Sequence, residues 1–127
     1  MARPAPTRPT DAELAVLRVL WRRGPSTVRQ VHEDVGGPVG YTTTLKLMQI
    51  MADKGLVGRD ESERSHVYHA TLGEEPTQRQ LLRDLLDRAF GGSARKLLVQ
   101  ALAAAKASPE EMDEIRDLLN RLEGDVR

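Results

Sequence analysis

The chain has 127 residues, 30% charged and 39% hydrophobic, which fits a soluble, helix-rich protein of one ordinary domain or two very small ones. One Trp, one Phe, two Tyr and no Cys leave an aliphatic core and exclude disulfides, thiolate nucleophiles and cysteine-ligated zinc, copper or iron–sulfur sites. Basic and acidic residues balance at 19 each, yet residues 1–72 hold ten Lys/Arg against eight Asp/Glu and residues 73–127 hold nine against eleven, a basic front half and an acidic back half.

Residues 1–9 lack the apolar segment of a signal peptide and read as a flexible arm. No apolar run approaches the ~20 residues of a membrane span, so a cytoplasmic chain without membrane insertion is expected. Thr10-Asp11-Ala12-Glu13 is a capping box. The helix it opens gathers Leu14, Leu17, Leu20 and Trp21 on one face and stops at Arg23-Gly24-Pro25. Ser26 is expected to cap a second helix, with Val28, Val31 and Val35 inward and Arg29, Gln30 and Glu33 outward. Gly36-Gly37-Pro38-Val39-Gly40 then breaks the chain.

Residues 41–54 form the helix around which the front half is organised. Thr44, Leu47, Met48 and Met51 recur at i, i+3, i+4 and i+7, an apolar stripe that wants a core. Thr42, Leu45, Lys46 and Gln49 recur at the same spacing on the other side. These are groups that suit a major groove: an amide for adenine, an ammonium for guanine or phosphate, apolar atoms for a thymine methyl. Taken alone, the segment also reads as an ordinary amphipathic helix with a solvated outer face. Gly55 stands where a left-handed cap residue belongs.

The period then changes from 3.6 to 2. Residues 56–59 and 66–70 read as strands joined by a polar turn over 60–65, a hairpin whose Arg59, Arg64, His66 and His69 could lie on phosphates although the turn also carries three acids. Three helices and a hairpin make a winged helix-turn-helix over residues 10–72. Residues 73–127 read as all helical. Thr77 is expected to cap a helix bearing Leu81, Leu82, Leu85, Leu86 and Phe90, and Ser93 one bearing Leu97, Leu98, Ala101 and Leu102. Ser108-Pro109-Glu110-Glu111 opens a third with Ile115, Leu118, Leu119 and Leu122. Roughly 50 residues are too few to bury so much leucine alone. These leucines would pair with a second copy as a dimerisation domain, or pack back on the front half.

No catalytic constellation stands out. His66 and His69 are three apart on a strand and point to opposite faces; His32-Glu33 lacks a second histidine four residues on; no glycine-rich phosphate loop occurs. Neither an enzyme nor a metal or other cofactor is expected.

Five strings in order, residues 13–21, Thr27-Val28-Arg29-Gln30-Val31, residues 41–57, Arg64-Ser65-His66-Val67-Tyr68 and Phe90-Gly91-Gly92-Ser93, resemble the penicillinase-repressor family of bacterial transcription regulators (the BlaI/MecI group, with the copper-responsive CopY repressors as cousins). The resemblance runs from residue 10 to about 122. It implies a winged-helix DNA-binding domain, a helical dimerisation domain and repression at a near-palindromic operator on double-stranded DNA. Base-facing positions would be Thr42, Leu45 and Lys46, flanked by Thr43 and Gln49. Phosphates would be held by Arg29, Tyr41, Arg64, His66 and the start of the third helix. The family's penicillinase-type members imply release by a cut at an Asn-Phe bond made by a membrane sensor-protease; the aligned bond here is Gln100–Ala101. Ile50 and Asp53 stand where the family often has Arg and Lys, and the copper branch's cysteine-rich tail is missing. The alternative from another class is a winged-helix protein-interaction module without DNA, favoured by an exposed Leu45 and Ile50, by Asp53 and by the neutral charge.

Overall fold

In the computed structural model, which describes residues 8–62 and 64–126, the Thr10 hydroxyl accepts from the Glu13 N–H (3.2 Å) and the Glu13 carboxylate accepts from the Thr10 N–H (2.9 Å). Two otherwise unpaired donors are thereby satisfied, and α1 (Asp11–Arg23) starts there. Most of the arm expected over residues 1–9 lies outside the described residues. Gly24 ends α1 at φ 90°.

The next element differs from expectation. Ser26 does not cap a helix: it is buried, its hydroxyl donates to the Gly24 carbonyl (2.8 Å), and with Thr27 it forms a two-residue strand, β1 (Ser26–Thr27). Thr27 takes the cap instead, in a second capping box with Gln30, and opens α2 (Val28–Val35). Gly40 precedes α3 (Tyr41–Lys54), which ends at Gly55 in the left-handed conformation (φ 82°, ψ 12°) that a residue with a Cβ avoids. The hairpin follows as β2 (Val57–Asp60) and β3 (Val67–Ala70). β3 is central, paired antiparallel with β2 and, at Ser26↔Tyr68 and Thr27↔Val67, with β1. Sequence reasoning finds two of the three strands.

The core sits where α1, α2, α3 and the sheet meet. Val16, Leu17, Val19 and Leu20 come from α1, Val28 and Val31 from α2, Met48 and Met51 from α3, joined by Leu56, Val57 and Tyr68. Each such side chain contributes about 1.5–3 kcal/mol by leaving water. Three helices and a hairpin around one core make a winged helix-turn-helix.

The chain divides into two compact units, Met1–Leu81 and Leu82–Arg127. The first includes the start of α4 (Glu74–Ala89). Thr77, expected as its cap, lies one turn inside the helix, buried, with its hydroxyl donating back to the Gly73 carbonyl (2.9 Å). The second unit holds the rest of α4, α5 (Ala94–Ala105) and α6 (Pro109–Val126). Ser93 and Ser108 cap the last two by accepting from the N–H groups three residues on. No residue of α5 is buried. Leu82, Leu85, Leu98, Val99, Leu118, Leu119 and Leu122 stay exposed, while Leu86, Phe90, Leu97, Leu102 and Ile115 are half-buried. Among the described residues no helix is long and apolar enough to cross a membrane.

Candidate nucleic-acid interface

The rotation of α3 decides which of its side chains face outward. Thr44, Met48 and Met51 are buried and define the core direction. At about 100° per residue, Thr42, Lys46, Gln49 and Asp53 fall opposite, and all four are exposed. Leu45 falls on the flank, so it is half-buried against the core rather than exposed as expected. Ile50 is exposed.

On that flank α2, α3 and the wing enclose an open cleft of about 400 Å³, lined by Thr27, Val28, Arg29, Tyr41, Leu45, Gln49, Arg64, Ser65, His66 and Tyr68. Six residues expected to bind nucleic acid thus share one depression: Arg29, Tyr41, Leu45, Gln49, Arg64 and His66. Thr42, Thr43 and Lys46 are exposed on α3 outside the cleft lining. Tyr41, the first residue of α3, is 42% exposed, and the Arg29 guanidinium lies 5.5 Å from its ring centroid, within cation–π range.

The charges of the first unit are arranged unevenly. Arg23 and Arg22 meet Asp34 at 2.8 and 3.7 Å, and Lys54 meets Glu13 at 2.7 Å. Arg59 meets Glu61 at 2.8 Å; the Tyr68 hydroxyl, and then Glu61, hold its pKa above the usual value, so this wing cation is committed. Asp60 accepts the Ser62 N–H at 2.9 Å, which holds its carboxyl below the usual range and ties it into the turn. His69 lies over Gly58 on β2, so close that a Cβ there would overlap the imidazole. By contrast, Arg29, Lys46 and Arg64 have no carboxylate partner among the described residues. Among the described residues, the cations facing the cleft and the outer side of α3 are thus uncommitted, as are Arg18 of α1 and Arg79 of α4.

The helix ends carry the same asymmetry. α1 and α2 close their first N–H groups with capping boxes, whereas Gly40 offers α3 no side-chain acceptor. An uncapped N-terminus beside uncommitted arginines is suited to a phosphate oxygen.

Sequence reasoning overlooked Thr27, Ser65 and Tyr68 in the lining, and gave His32 no role beyond excluding a zinc motif. The Thr27-x-x-Gln30 box was readable and would have placed Thr27 correctly. His32 has no local signature, because its partners lie on the next helix.

The sequence pattern of the penicillinase repressor family matches residues 9–121. The transcriptional regulator BlaI of Mycobacterium tuberculosis is 36% identical over 121 residues, covering 92% of this chain and 86% of that protein. The penicillinase repressor of Staphylococcus aureus is 21% identical over 111 residues, covering 86% and 88%. Among solved structures, a MarR family protein from Bacillus stearothermophilus superposes with a TM-score of 0.50 at 21% identity, covering 98% of this chain and 76% of that one, a likeness of fold.

Proposed function

The chain belongs to the penicillinase repressor family, and from that premise we propose that it is a transcriptional repressor that binds a near-palindromic DNA operator as a homodimer. The observation that carries the proposal is the cleft where Arg29 and Arg64, without a carboxylate partner among the described residues, lie beside the uncapped start of α3. Phosphates would be held by Arg29, Tyr41, Arg64, His66 and that helix end. Base edges would be read by Thr42, Lys46 and Gln49, with Thr43 and Leu45 at the margins.

The exposed leucines of α4, α5 and α6 support self-association, since so many large apolar side chains in a small unit are costly to leave in water. Two copies engage both halves of a palindrome, and the second contact gains from the high effective concentration set by the first. Relief would follow from separating the copies. A cut near Gln100–Ala101, inside α5, by a membrane sensor-protease would divide the leucine stripe of that helix.

A gel shift with duplex from the region upstream of the chain's own gene tests the function. The expected result is a discrete complex that survives excess scrambled duplex. Equal competition by scrambled and upstream duplex would reject sequence-specific repression.

A further inference from the structure

α2 and α3 are joined by residues 36–40, in which Gly36 and Gly37 adopt φ 65° and 86° and Gly40 forms the helix cap. Three glycines in five residues make a permissive connection that does not by itself fix the start of α3. The core grips α3 further along, through Met48 and Met51, while Tyr41, Thr42 and Thr43 are all exposed. Among the described residues, one side-chain hydrogen bond reaches this first turn: His32 Nδ1 lies 3.0 Å from Thr44 Oγ1, and Thr44 is only 5% exposed. The same imidazole makes a T-shaped contact with the Tyr41 ring, centroids 6.0 Å apart and planes at 89°. Arg29, three residues before His32 and so on the same face of α2, covers Tyr41 at 5.5 Å.

We propose that His32 is a positioning residue for DNA binding: by holding Thr44 and Tyr41 it fixes the first turn of α3 and, through Tyr41, the seat of Arg29. An imidazole suits the task because one group supplies a hydrogen-bonding nitrogen to a buried hydroxyl and a flat ring for a perpendicular aromatic contact. Without it the core still holds α3 by its middle and end. The first turn and Arg29 then lose their fixed relation to each other, and with it the simultaneous grip on phosphate. This inference rests on the DNA-binding reading above.

The test is fluorescence anisotropy with the full chain and a labelled upstream duplex across a salt series, with circular dichroism recording that each variant is folded at the temperature used. His32→Ala is expected to raise Kd about tenfold at fixed salt and to flatten the log Kd–log salt slope by about 0.9, the value of one phosphate contact. His32→Asn, which keeps a polar atom toward Thr44 but loses the ring, is expected to fall between Ala and wild type, and it carries the test if the Ala variant fails to fold. A folded variant of either kind with wild-type Kd and slope overturns the inference while leaving the DNA-binding reading intact. A wild-type chain that shows no salt-dependent binding overturns both.

Discussion

Glu13 closes the start of α1 and also accepts from Lys54 Nζ at the end of α3, although its carboxylate is only 2% exposed. Burial raises its pKa, but the Lys54 ammonium and the Thr10 N–H and hydroxyl outweigh that and hold it below the usual 4.5. A lowered folded pKa means that the contribution is fully present above the unfolded value and is lost as pH falls through the folded one. Glu13→Gln should therefore cost about 1–3 kcal/mol near neutral pH, and its deficit against wild type should shrink once pH drops below about 4.5. Urea melts of both proteins on either side of that pH measure it. The exposed side chains of α3 and the wing call for a different comparison. Lys46→Ala should cost about 1–3 kcal/mol on the specific duplex and relax preference at the base pair beneath it, whereas Arg64→Ala should weaken all duplexes alike and lower the salt slope by about 1. Leu45→Ala should also lower thermal stability, because Leu45 packs on the core. Competition among single-base operator variants separates these patterns, and identical responses from Lys46→Ala and Arg64→Ala would contradict the division of roles.

At the scale of elements, the helix starts legible in the sequence are those whose partners lie within one turn. Thr10 with Glu13, Ser93 and Ser108 all cap as their spacing indicates. At 26–27 two adjacent hydroxyls compete, and the choice is made by β3: pairing with Tyr68 and Val67 pulls Ser26 into a strand and leaves Thr27 at the helix start. No local pattern reveals a contact 42 residues away. Thr77 misleads for the opposite reason, since its hydroxyl bonds back to Gly73 within a helix begun by Glu74. In α3 the periodicity gives the buried row correctly but leaves the flank ambiguous, and Leu45 falls on the flank. Thr27→Ala should accordingly cost about 1 kcal/mol in denaturation measurements, and a neutral outcome would deny the cap its role. α5 carries the other expectation at this scale. The Gln100–Ala101 bond is helical, so cleavage there requires local opening first. Immunoblots of the native host during derepression should show a fragment ending between residues 97 and 105. Full derepression with only intact chain would reject proteolytic relief.

For the whole molecule, zero net charge conceals a local distribution: among the described residues acids meet Arg22, Arg23, Lys54 and Arg59, while Arg29, Lys46 and Arg64, around the cleft and on the outer side of α3, meet none. This is why bulk composition argues poorly against DNA binding here, since a phosphate backbone meets a local face and not a sum. The resemblance seen in five short strings agrees with the family match over residues 9–121. Strings alone left untouched how the cleft is built, because its walls come from α2, α3 and a wing far apart in sequence. The most direct measurement is a hydroxyl-radical footprint of the full chain on its own upstream region. Two protected segments on one side of the duplex, centred about one helical turn (~34 Å) apart and lost together when Arg29 and Arg64 are both replaced by Ala, are the expected result. A single protected segment, or protection unchanged by that double replacement, would contradict a dimer that grips DNA through this cleft.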